Sequence, residues 1–260
     1  DGQLELAASA YVHGGNRFSW FEISQGSWTQ HLIEANIPET RTVELADFTN
    51  NVFLDLLGSS TSNGQIIIYE NLGNSVKNRW SKHVIDIFNG PRHGHAVDLN
   101  NNGNMDILMT GGLPLANNRV SGFDMKDKSD ENLMSQEKIV WYENPGGSDF
   151  SKSWKKHTIF DGFNGFEVIA ADLDNDGLNE LYLATSSAYD GGGGGYFYVV
   201  TLNEPDVSTL SFDNFHLLKQ YNSDLSLRQV LIGNQDSPSG EEQDGADIYI
   251  AGNSHEAVFD

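Results

Sequence analysis

Residues 172–186 read DLDNDGLNELYLATS, an acidic turn punctuated by Gly177 that runs straight into a strand-like segment. Asp172, Asp174 and Asp176 alternate along it, Gly177 takes the sixth position and Glu180 the ninth. Carboxylates this close repel one another unless something neutralises them. Alternating acids that curl inward around a glycine at the sixth position can enclose one hard cation, which is the logic of a calcium loop. The phrase also recurs, and a recurring unit constrains a fold more than any single motif does. DLNNNGNMDILMTGG sets Asp98, Asn100, Asn102, Asn104 and Asp106 in the same register, and DFTNNVFLDLLGSS is a worn copy with Asp47, Thr49, Asn51 and Asp55. Asp1, Gly2 and Glu5 match the tail of a further copy, and QDGADIYIAG is another, with Asp247 at the closing position.

Two more phrases follow each turn in fixed order. The first is FSWFE, IIIYEN and IVWYEN; the second is WTQHLI, WSKHVI and WKKHTI, with a faded FHLL that holds His216. The closing acids fall at 5, 55, 106, 180 and 247, so a unit is about 50 residues, and the longer third interval is filled by an insertion after Gly112. Such a unit holds four short strands, too little to bury both its own faces, and it must stack on its neighbours as a propeller blade does. The 27 glycines against 6 prolines, with turn-forming clusters between β-rich runs, agree with an all-β chain. The expectation is one domain over 1–260, with units at roughly 1–36, 37–88, 89–161, 162–220 and 221–260. In the fourth unit EVIAA supplies strand one and NELYLAT strand two; in the third, KIVWYEN supplies strand three and KKHTI strand four.

On these three phrases the chain resembles the FG-GAP or VCBS repeats, the calcium-loop propeller blades of integrin α-chains and many secreted proteins. The resemblance runs along essentially the whole chain. It implies a β-propeller of four-stranded blades in which structural Ca²⁺ sits in the loop between strands one and two. About five repeats are visible. They begin inside a calcium loop and stop in a third strand, so the expectation is a segment of a larger propeller, with further blades or domains, or one closed in an unusual way.

The turn at Asp172, Asp174, Asp176 and Glu180 is the best-charged site, with the Leu178 carbonyl as a further ligand. The Asp98, Asn100, Asn102, Asn104, Asp106 turn carries less charge and binds more weakly. Asp47, Thr49, Asn51 and Asp55 either hold a cation poorly or simply hydrogen-bond across their turn. In each case the metal stiffens a hairpin rather than doing chemistry, because a fully ligated Ca²⁺ leaves little room for substrate.

All such turns fall on one end of the sheets, so a ligand is expected at the other, near the central channel. His31, His83, His157 and His216 sit at the repeat position of outer strands and read as packing residues. His13, His93, His95 and His255 fall at the far end. Arg41 and Arg92 each lie six residues before the first acid of their turns, and Arg228 lies six before Asn234, which suggests a ring of guanidinium groups. The bland alternative is that each arginine pairs with an acid such as Glu44 or Glu167. The functional one is a site for a carboxylate or sulfate on an acidic sugar, since guanidinium grips planar oxyanions with two parallel bonds. The stretch 113–136 and the loop SSAYDGGGGGYF, which presents Tyr189, would frame that end.

A net charge of −22 argues against nucleic acid and anionic membrane surfaces as partners. No run approaches the ~20 apolar residues needed to span a bilayer, and the absence of cysteine excludes disulfide and thiol chemistry. Weak calcium sites suit millimolar extracellular calcium, so a secreted or cell-surface location is expected. Two readings of function follow. One is a binding module for carbohydrate or a cell-surface glycoprotein. The other is a sugar-active enzyme, prompted by GPRHGHAVDLNNNG, which resembles the inner-strand entry of VCBS-type sugar lyases and aldos-2-ulose dehydratases. There a histidine, His93 or His95, or a tyrosine would remove a proton while Arg92 and Arg41 hold the developing charge. Catalytic residues are otherwise unknown, and a transition metal on His93 and His95 with His13 or His255 is a further option.

Overall fold

The computed structural model describes residues 5–10, 16–73, 80–88, 90–111, 138–161, 165–185, 196–202, 214–220, 225–233 and 247–254. They form seventeen strands, and no α-helix occurs among the described residues. The first sheet is β1 (Glu5–Ala10), β2 (Arg17–Ser24) and β3 (Ser27–Ala35). Three four-stranded sheets follow in chain order. The second sheet is β4 (Thr40–Ala46), β5 (Asp55–Ser60), β6 (Gln65–Asn71) and β7 (Trp80–Ile87). The third is β8 (Gly94–Val97), β9 (Asp106–Gly111), β10 (Lys138–Glu143) and β11 (Lys155–Asp161). The fourth is β12 (Gly165–Ala171), β13 (Glu180–Thr185), β14 (Tyr196–Val200) and β15 (Phe215–Gln220). β16 (Leu225–Gly233) and β17 (Asp247–Ser254) make a final pair. Every pairing is antiparallel between consecutive strands, and each sheet lies within one repeat unit.

The repetition extends to defects. The pairing of third strand with fourth slips between Phe18 and Ser19, Ile66 and Ile67, Ile139 and Val140, and Phe197 and Tyr198, always just after the second residue of the third strand. A bulge at a fixed place adds twist at a fixed place, so neighbouring sheets share one shape and can stack.

Stacking explains why the central strands are apolar without interruption. A strand sandwiched between two sheets buries both of its faces and shows no polar alternation. In β10, Ile139 and Trp141 pack toward the fourth sheet with Leu181, Leu183 and Val200. Val140 and Tyr142 face the second sheet with Leu57, Ile66 and Ile68. In β5 and β6, Leu56, Ile67 and Tyr69 pack on Phe18 of the first sheet. Each such side chain is essentially water-free, worth about 1.5–3 kcal/mol apiece.

The first strands line up along one side, β4 against β8, β8 against β12 and β12 against β16, and β1, the second strand of its unit, lies against β4. The approach of β4 to β8 is close, since a Cβ on Gly94 would sit 3.3 Å from Thr42 Cγ2. A polar seam joins them there. The Thr42 and Ser59 hydroxyls each lie 2.9 Å from the Arg92 carbonyl, and Gly94 N donates to Thr42 Oγ1 at 2.9 Å.

Candidate functional site

The three turns between first and second strands share one construction. The first acid accepts two backbone N–H groups through its two oxygens: Asp172 from Asp176 and Gly177 at 3.1 and 2.9 Å, Asp98 from Asn102 and Gly103 at 2.9 and 2.7 Å, and Asp47 from Asn51 and Val52 at 3.0 and 2.7 Å. Reversing the chain so tightly puts positions four and six in the left-handed region, at Asn50 and Val52, Asn101 and Gly103, and Asn175 and Gly177. Glycine and asparagine tolerate that geometry; valine does not.

What differs is the inside of each turn. Asp172, Asp174 and Asp176 present carboxylate oxygens that all lie within 4.8 Å of one another, the one such group of metal-ligating side chains among the described residues. Three carboxylates gathered so closely are a group that could hold a metal ion, offering oxygen donors of the kind a hard cation takes. Glu180 is not one of that trio; it is buried and accepts Leu173 N at 3.1 Å. In the next turn amides replace two of the carboxylates: Asn102 Oδ1 accepts Asn104 N at 2.8 Å, as Asp176 Oδ1 accepts Leu178 N at 2.8 Å, but Asn104 Oδ1 also accepts Asn50 Nδ2 at 2.8 Å. In the Asp47 turn the Thr49 hydroxyl lies 3.4 Å from Asp47 Oδ1 and 3.5 Å from Asp55 Oδ2, which is the cross-turn hydrogen bonding offered above as an alternative to a cation. Consecutive turns are tied together, with Asn50 reaching Asn104 and Asn101 Nδ2 donating to Gly177 O at 2.7 Å.

The closing acids are buried braces. Asp55 accepts Phe48 N at 3.0 Å and Asn71 N at 2.8 Å; Asp106 accepts Leu99 N at 3.2 Å and Asn144 N at 2.8 Å. Burial pushes both carboxyls up to about 6, against the pull of those same N–H donors.

The YEN phrase also becomes intelligible. Its tyrosine crosses to the preceding sheet, where Tyr69 donates to Glu34 and Tyr142 to Asp86, each at 2.7 Å, beside Lys82 and Lys156 on the same acids at 2.8 and 2.7 Å. Its glutamate meets the outer-strand histidine: Glu70 with His83 at 2.8 Å and Glu143 with His157 at 3.0 Å, matched by Glu22 with His31 at 3.3 Å. Its asparagine returns to the turn, with Asn144 Nδ2 donating to the Phe48 and Met105 carbonyls at 2.9 and 2.8 Å. His31 and His157 stack on Trp20 and Trp141. His216 faces Thr201 Oγ1 at 3.3 Å instead of an acid. The acids Glu34 and Asp86 escaped the motif reading, although both follow their histidine by three residues.

Of the three arginines expected at the opposite end, Arg41 and Arg92 have described side chains. Arg92 is 1% exposed, held in the seam between sheets and not at an open rim. Arg41 Nε donates to Thr61 Oγ1 at 3.0 Å, and that hydroxyl donates to the Pro91 carbonyl at 2.8 Å, so it braces the neighbouring turn. The Arg228 side chain, His13, His255, Tyr189 and the stretch 113–136 lie outside the described residues. His93 lies one residue before β8 begins at Gly94; its carbonyl accepts Thr110 N at 2.9 Å. His95 stands between sheets, Nδ1 3.1 Å from Glu44 Oε1 on β4 and Nε2 3.4 Å from the Ala170 carbonyl on β12.

No curated protein matches the chain. Residues 47–109, which run from the first acid of one turn through the whole of the next to β9, match the family described as FG-GAP-like repeat. The chain therefore carries an FG-GAP-like repeat, set in a series of stacked antiparallel sheets and consistent with an FG-GAP/VCBS-type repeat family.

Proposed function

We propose that the chain is a calcium-stabilised β-propeller module, acting outside the cell, that binds a carbohydrate or a glycoprotein partner through the end opposite the acidic turns. The observation that carries the reading is the Asp172, Asp174, Asp176 trio, mounted on a turn geometry that recurs twice more. Asp172, Asp174 and Asp176 would hold the ion there, with Leu178 offering its carbonyl. Its role is to cancel repulsion and rigidify the β12–β13 hairpin. Supporting the location, sites of this kind fill at extracellular calcium levels. An acidic ligand has less support than the arginine spacing suggested, since Arg92 is buried and Arg41 is engaged with Thr61.

The test is calorimetric titration of Ca²⁺ into wild type and Asp174→Ala, followed by glycan-array binding with calcium and with EDTA. Saturable calcium uptake lost in Asp174→Ala, together with calcium-dependent glycan binding, is the expected result. Absence of calcium uptake at millimolar concentration removes the metal half of the proposal, and absence of glycan binding by a calcium-loaded protein removes the ligand half.

A sugar lyase or dehydratase is the second reading, favoured by the Glu44–His95 pair at 3.1 Å, a carboxylate-oriented imidazole of the kind general bases use. Product formation from acidic polysaccharides that disappears in His95→Ala would place it first.

A further inference from the structure

His95 is the one histidine among the described residues placed between two acceptors from different sheets. Its Nδ1 faces the Glu44 carboxylate on β4, in the second sheet, and its Nε2 faces the Ala170 carbonyl on β12, in the fourth; the histidine itself stands on β8, in the third. Neither partner can donate a proton to a ring nitrogen: a carbonyl has none, and an ionised carboxylate has none. A neutral imidazole carries a single N–H and leaves one of these contacts as a lone pair against a lone pair. Only the doubly protonated ring donates in both directions.

We infer that His95 is a proton-operated clamp, which ties the first strands of three successive sheets together when protonated and releases one of them when neutral. The inference is independent of the metal and of the ligand proposed above.

The charged surroundings agree. Besides Glu44, the acid that acts on His95 is Glu167 of β12. The other strands packed against β8 are β5 and β9, whose only titratable side chains, Asp55 and Asp106, brace the acidic turns at the far end. Arg41 on β4 is directed to Thr61, and Arg92 and His93 lie in the segment leading into β8. Burial alone would lower the pKa of His95, but the hydrogen bond and charge of Glu44, aided by the Ala170 carbonyl and Glu167, lift it above the usual 6.5. With the folded value above the unfolded one, the clamp contributes its full stability below pH 6.5 and loses it as pH rises through the folded value.

The decisive measurement is a nuclear magnetic resonance titration of the imidazole resonances, with His95 assigned by its disappearance in His95→Gln. The expected result is a midpoint above 6.5 that moves down in Glu44→Gln. A midpoint at or below 6.5, or one that Glu44→Gln leaves in place, overturns the inference. Melting curves between pH 6.5 and 8.5 give a second readout. One ordinary hydrogen bond corresponds to about 2–4 °C of Tm in a chain of this size, so wild type should lose that much more than His95→Gln over this range. Equal losses in the two proteins would refute a clamp at this residue; should His95→Gln fail to fold, sequential resonance assignment of the wild type identifies His95, and its titration in wild type and Glu44→Gln decides the matter.

Discussion

Val52→Gly should stabilise the protein, although it removes an apolar side chain. Val52 holds φ at 68° in the sixth position of its turn, where the sister turns place Gly103 at 85° and Gly177 at 91°. An L-residue in the left-handed region costs about 1–2 kcal/mol, and a branched Cβ is among the worst placed to bear it. The side chain is 86% exposed, so its removal gives up almost no buried surface. The hydrogen bond from residue 52 N to Asp47 Oδ2 is a backbone contact and survives. Against the relief stands the greater unfolded-state entropy of glycine, about 0.5–1 kcal/mol. The net expectation is a gain of about 0.5–1 kcal/mol, or about 1–4 °C in Tm, read by urea unfolding and calorimetry. The mirror experiment is Gly177→Ala. No heavy atom lies within 4 Å of a Cβ added there, so the backbone angle acts alone, and a loss of about 1 kcal/mol is expected. If Val52→Gly is destabilising, or Gly177→Ala is neutral, the shared geometry of the turns is not what governs them.

Two further outcomes test the braces. Tyr142→Phe removes a hydrogen bond to the Asp86 carboxylate and should cost about 1–3 kcal/mol in urea unfolding; a loss below 0.3 kcal/mol, roughly the error of such comparisons, would mean that Lys156 alone locks the two sheets. The buried carboxyls of Asp55 and Asp106, raised to about 6 from 3.8, make the folded state hold more protons than the unfolded one between those values. Their contribution therefore falls as pH rises from about 4 to 6 and is level above it. Denaturation in EDTA at pH 4.5 and 6.5 should show this fall in wild type and a shallower one in Asp55→Asn; identical slopes would refute the assignment for Asp55.

Local order was legible in the residues themselves. An acid that must accept two N–H groups of its own turn, a glycine that must sit in the left-handed region and a tryptophan three residues before a histidine leave marks at fixed spacing, so the repeat, the strand order and the antiparallel pairing follow from pattern alone. Even the frailty of the Asp47 turn is written there, as Thr49 and Val52 in place of an acid and a glycine. Contacts between units leave no such mark, because the partners lie a whole repeat apart and any nearby acid satisfies the same spacing. Asp86 answers Tyr142, Glu44 answers His95, and Asn144 holds Phe48, over separations that range from about 50 to nearly 100 residues. The spacing of Arg41 and Arg92 is real, but whether a strand register points outward or into a seam depends on how closely the next sheet approaches. Gly94 and the Thr42 and Ser59 hydroxyls bring β8 against β4, and that approach, a property of the packed sheets alone, puts Arg92 out of reach of solvent.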